Sequence, residues 1–174
     1  TAAEPEIVVT KAVKSSIEIA RNLIKAGTLI EAEKELQEII RSKPSDINAR
    51  ELLIGLLLRN DRTAEASGQI TEALKFYPNR ENLVLMQART LLAEKQVDAA
   101  ISVLQKQITT KKAGSKTLAM LAPLYQQQFR YEESVRVYSQ LLKQIPSGAS
   151  YWVGLAISLE ALARQGEAFT AYQN

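Results

Sequence analysis

Hydrolytic or group-transfer chemistry needs a general base, a nucleophile or a metal cluster, and these 174 residues include no histidine and no cysteine. Imidazole is therefore missing as base and ligand, and thiolate as nucleophile and ligand. A Ser-His-Asp or Cys-His arrangement cannot be assembled, and no disulfide can form. Carboxylates remain, in pairs such as Glu132-Glu133 and Glu31 with Glu33. Residues one or two apart on a helix do not face each other. Both pairs also fall where a helix is expected to begin, and there acids complement the positive end of the helix dipole. No Walker loop, GxGxxG, HExxH or calcium-loop pattern occurs. The chain is read as non-enzymatic, with no cofactor and no metal.

Other polar and aromatic groups read as structural. Thr109-Thr110-Lys111-Lys112-Ala113-Gly114-Ser115-Lys116 is a basic stretch, read as a solvated turn. Tyr125, Tyr131, Tyr138 and Trp152 are read as core aromatics, since rings bury large apolar area. The 22 Lys and Arg are spread against 19 Asp and Glu, for a net charge of +3. Without a basic block, no nucleic-acid partner is expected. The longest apolar stretch, Leu52 to Leu58, is interrupted by Gly55 and is too short to span a bilayer. A chain opening at Thr1 with no visible signal peptide is expected to be an excised piece, its targeting signals lying outside it.

The elements that carry these side chains show a period. Pro44, Pro78 and Pro146 are spaced by 34 and then twice 34, and Ala32, Ala66, Ala100 and Ala168 lie on the same grid, with Ser134 in the remaining slot. Units over 13–46, 47–80, 81–114, 115–148 and an incomplete 149–174 follow, each a pair of helices. First helices carry apolar residues at helical spacing, such as Leu53 and Leu57, or Trp152, Leu155 and Leu159. Gly27 suits a left-handed helix C-cap. The alanines mark close helix approach, and the prolines end the second helices. Pro123 sits inside a first helix, where it removes a hydrogen bond and should bend the axis. Residues 1–12 form a linker or leading helix, and a capping helix is expected beyond the last unit.

This pattern resembles the tetratricopeptide repeat, which implies an all-α, right-handed α-solenoid of about five helix-turn-helix units. Units two, four and five match best, with Tyr125, Tyr131 and Tyr138 at the family's aromatic positions. Unit three departs at Gln87 and Lys112, and unit one at Ser16. The resemblance implies a protein-binding scaffold whose first helices line a concave groove for a peptide or helix. Transferred by position, the groove comprises Lys14, Ile17, Arg21, Ile24 and Lys25 in unit one and Asn48, Glu51, Gly55, Leu58 and Arg59 in unit two. Unit three contributes Asn82, Leu85, Arg89, Leu92 and Ala93, and unit four Lys116, Ala119, Pro123, Gln126 and Gln127. Unit five adds Ser150, Val153, Ile157, Glu160 and Ala161. The Lys/Asn set that clamps a C-terminal carboxylate in some relatives is missing. An exposed aliphatic stripe (Ile17, Ile24, Leu58, Leu85, Leu92) beside Arg21, Arg59 and Arg89 suits an apolar or amphipathic segment with acidic flanks. A second copy of the chain is the other occupant such a stripe would take.

A narrower resemblance lies in Tyr151-Trp152-Val153-Gly154-Leu155-Ala156-Ile157-Ser158-Leu159-Glu160-Ala161-Leu162. This run is similar to the last repeats of bacterial MSHA-type pilus biogenesis protein N, as is Tyr138-Ser139-Gln140-Leu141-Leu142. It implies the periplasmic domain of an inner-membrane-anchored protein that assists assembly of a type IV-like pilus, with pilus assembly proteins as partners. The alternatives are a cytoplasmic repeat adaptor or regulator and an accessory module of a larger enzyme.

Overall fold

A computed structural model describes residues 16–110 and 114–174, and of Thr110 the backbone only. The expected leading segment 1–12, Lys14 and the centre of the basic turn, Lys111 to Ala113, lie outside the described residues. Among those described, the secondary structure is helical, with no strand. The helices are α1 (16–26), α2 (Leu29–Ser42), α3 (Ile47–Arg59), α4 (Thr63–Phe76) and α5 (Glu81–Ala93). They continue as α6 (Val97–Thr110), α7 (Ser115–Gln127), α8 (Tyr131–Gln144), α9 (Ala149–Ala161) and α10 (Gln165–Tyr172). First helices start at 47, 81, 115 and 149 and second helices at 29, 63, 97, 131 and 165, all 34 apart.

The turn within each pair has one geometry. Gly27, Asp61, Lys95, Phe129 and Ala163, again 34 apart, all have positive φ, between 56° and 81°. Each N–H bonds back to a carbonyl three residues earlier, as from Asp61 to Leu58 and from Phe129 to Gln126. The following residue reaches five back, as from Arg62 to Leu57 and from Arg130 to Tyr125. This is the Schellman closure, which satisfies the orphan carbonyls at a helix C-terminus. Gly27 suits its position as expected; the other four units hold the same conformation with side chains that strain it.

Second helices end before proline. Lys43, Tyr77 and Ile145, just ahead of Pro44, Pro78 and Pro146, have φ from −139° to −132° and ψ from 64° to 85°. The proline ring drives its predecessor out of helical space in this way. α3 restarts the chain with Asp46, whose carboxylate accepts from the N–H groups of Asn48 and Ala49, both at 3.1 Å.

The chain divides into two compact units, Thr1–Leu83 and Val84–Asn174. In the first, α2 packs on α3 and α3 on α4, around the fully buried Leu36, Leu53, Ile54, Leu56 and Ile70. In the second, α7, α8, α9 and α10 pack in succession and α6 lies on α7, burying Ile101, Leu104, Leu118, Leu121 and Leu141. Ala32, Ala66, Ala100, Ser134 and Ala168 are all at most 1% exposed, as close helix approach requires. α7 runs without interruption through Pro123.

Candidate partner-binding surface

The first helices bring part of the expected surface into the open. Arg21, Lys25, Arg59, Arg89 and Gln127 are exposed, and Ile24, Leu58 and Leu92 are half-buried. Val153 and Ile157, four residues apart on one face of α9, are each 46% exposed. The aliphatic stripe is shorter than expected, because Ile17 and Leu85 are buried at 9% and 5% exposure. Each shares its helix face with a fully buried alanine three residues on, Ala20 and Ala88, so that face turns inward.

Two further expected residues have partners within the chain. Glu51 accepts from Arg80 Nε at 2.6 Å, and this bond holds the guanidinium above its ordinary pKa. Gln126 Nε2 donates to the Gly154 carbonyl and to Ser158 Oγ, both at 2.8 Å, while its Oε1 accepts from Tyr138 Oη at 3.3 Å. Ser134 Oγ donates to the Ala122 carbonyl at 3.0 Å and stands 3.0 Å from Ser158 Oγ. Serine thus occupies the repeat's alanine slot because α7, α8 and α9 meet there through buried polar groups, all satisfied.

The aromatics are distributed as buried and half-buried groups. Tyr125 and Tyr138 are 3% and 5% exposed, and burial pushes both phenols above their usual range. Tyr131 is half-buried, as is Trp152, whose indole N–H donates to the Pro146 carbonyl at 2.8 Å. Phe129 in the left-handed turn is 78% exposed.

The carboxylate pairs have structural roles. Glu33 takes the guanidinium of Arg62, which also binds Glu65. Glu133 takes Arg130 at 2.8 Å, a hydrogen bond that holds its carboxyl below the usual range. Glu31 and Glu132 are exposed in the first turns of α2 and α8. Among the described residues no group of three or more acidic side chains could hold a metal ion, and no helix is long and apolar enough to cross a membrane.

Charge pairing sorts the arginines. Arg41, Arg62, Arg80, Arg130 and Arg164 form ion pairs with Glu38, Glu33, Glu51, Glu133 and Glu167. Buried Arg50 donates to the Pro44 carbonyl and to Gln69 and lies over the Phe76 ring. Arg21, Arg59, Arg89 and Arg136 have no ion pair among the described residues. The first three belong to first helices and stand among the expected groove residues. Arg136, on α8, was no part of that expectation, and neither was the contact of Gly154 with Tyr138. The turn positions 61, 95, 129 and 163 were open to inference from Gly27 and the repeat spacing.

Comparison with known proteins agrees with this architecture. Residues 119–174 match the family model for the tetratricopeptide repeat. No curated protein matches the sequence. A crystal structure of MamA shares the fold at a TM-score of 0.78 and 12% identity, covering 94% of this chain and 90% of that one. YrrB, described as a tetratricopeptide repeat protein with an unusual peptide-binding site, gives 0.70 at 15% identity, covering 93% and 87%. PilF of Pseudomonas aeruginosa gives 0.75 at 16% identity, covering 94% and 75%. The fold is all-α, of the tetratricopeptide-repeat type.

Proposed function

We propose that this chain is a non-catalytic scaffold that holds an apolar or amphipathic segment with acidic flanks against its first helices, and that it serves assembly of a type IV-like, MSHA-type pilus from the periplasmic side. The observation that carries the binding reading is the set of arginines with no ion pair among the described residues. Arg21 and Arg59 are exposed beside half-buried Ile24 and Leu58, and Arg89 beside Leu92. A guanidinium without an internal carboxylate is ready to take one from a partner in a bidentate bond. The half-exposed aliphatic groups beside it give that partner apolar area to bury. Val153 and Ile157 are exposed on α9, a first helix of the second compact unit. The pilus reading draws on the likeness of 151–162 to MSHA-type biogenesis protein N, within the stretch that matches the repeat model.

The test is affinity capture from a pilus-bearing bacterium, comparing the unmodified chain with an Arg21→Glu, Arg89→Glu variant. Both positions are exposed, so the variant is expected to fold. Recovery of pilus assembly proteins by the original and their loss with the variant is the expected result. Recovery of cytoplasmic proteins alone overturns the pilus assignment, and undiminished capture by the variant removes the site from the first helices.

A further inference from the structure

The second helices carry a separate cleft. α6 and α8 both pack on α7, and the trough left between them has a volume of about 450 Å³. Leu121 and Tyr125 of α7 form its floor, Ile108 of α6 and Val137 of α8 face it from the two walls, and Lys106 and Arg136 bring charge to it. Gln105 Nε2 donates to Tyr125 Oη at 2.6 Å, so the phenol on the floor is fixed in place.

The trough is a product of the repeat, because it recurs one unit on. There Leu155 and Leu159 of α9 form the floor and Ala171 stands on the α10 wall, in a smaller cavity of about 280 Å³. These residues are the 34-residue counterparts of Leu121, Tyr125 and Val137. The charges differ between the two. The second trough holds Arg164 and Glu167, paired to each other at 2.7 Å. The first has no carboxylate among its lining residues; its Lys106 is engaged within the chain, whereas Arg136 acts on Glu133 one turn back but forms no ion pair among the described residues. Geometry common to the fold here carries an arginine that no carboxylate of the lining neutralises.

We propose that the α6–α8 trough is a second peptide-binding site, which takes an aliphatic or aromatic side chain with an aspartate or glutamate beside it. The volume lies within the range of small-ligand pockets and admits one large side chain with adjoining backbone. The floor supplies apolar area, and Arg136 selects the anion through complementary charge. This site is independent of the surface on the first helices and stands or falls separately from it.

The test is amide NMR of the isotope-labelled chain titrated with two blocked tetrapeptides. One is aspartate–leucine–phenylalanine–aspartate, and in the other lysine replaces both aspartates. The expected result is saturable shifts around Ile108, Leu121 and Val137 with the acidic peptide, and affinity at least about tenfold lower with the basic one. Arg136→Glu should weaken the response of these three residues to the acidic peptide by a similar factor, and Arg89→Glu should leave that response unchanged whatever it does to shifts on the first helices. Arg136 is exposed, so its variant should keep the parent spectrum elsewhere. Equal binding of both peptides, no saturable shift, or shifts confined to the first helices would each overturn the proposal.

Discussion

The Tyr138 ring of α8 lies against the backbone of Gly154 in α9 so closely that a methyl group on Gly154 would fall 2.8 Å from Cε1 and nearer still to Cζ. The glycine is in helical conformation and satisfies no turn requirement. It is there because the phenol takes the space a side chain would need. Gly154→Ala should therefore destabilise the second compact unit by about 1–3 kcal/mol, the range for forced overpacking. Tyr138→Leu in the same chain should recover part of the loss. Urea unfolding of both single variants and the double one measures this, and strictly additive effects would show that the two residues do not meet.

The five left-handed turn residues differ in what they lose to the conformation. Phe129→Gly and Ala163→Gly should each stabilise the fold by about 0.5–1 kcal/mol, since relief of the left-handed strain exceeds the entropy a glycine adds to the unfolded chain. Gly27→Ala should cost about 1 kcal/mol by the same argument reversed. Denaturation midpoints of the three variants test the opposite signs together.

Asp46 closes the N-terminus of α3 with two hydrogen bonds from a site only 7% exposed. Asp46→Ala should cost about 1–2 kcal/mol, and Asp46→Asn should retain most of the cap, because asparagine is an equally good helix starter. Thermal unfolding separates the two, and equal losses would place the cost in the charge.

Burial raises the phenols of Tyr125 and Tyr138 above their ordinary value of 10.0, outweighing at Tyr125 the opposing hydrogen bond from Gln105. The folded state then keeps both protons at a pH where the unfolded chain releases them. Their contribution is complete below about pH 10 and falls as pH rises through the folded values. Unfolding free energy measured from pH 8 upward should decline less steeply in a Tyr125→Phe, Tyr138→Phe chain than in the parent.

The helices were legible because proline and alanine at 34-residue spacing mark where a helix must stop and where two must touch. Neither signal depends on knowing the third dimension. The direction of a given side chain was less legible. Ile17 and Leu85 were assigned to the open face by repeat position, but adjacent residues point about 100° apart on a helix, and an inward turn of that face buries both. Gly154 stood out only as a letter in a run, because its reason is a ring on another helix. That Arg136 forms no ion pair among the described residues became legible only with the positions of the carboxylates around it, Glu133 included.

The polar chain of Gln126, Ser158 and Ser134 has a bearing on how repeats keep their alignment. Helices joined only by aliphatic knobs and holes can slip by one turn at modest cost, since leucine then meets leucine again. Here such a slip would carry Ser158 away from Ser134 and Gln126 away from the Gly154 carbonyl, leaving desolvated donors without acceptors. The junction of α7, α8 and α9 therefore has a single permitted register, and the neighbouring helices inherit it.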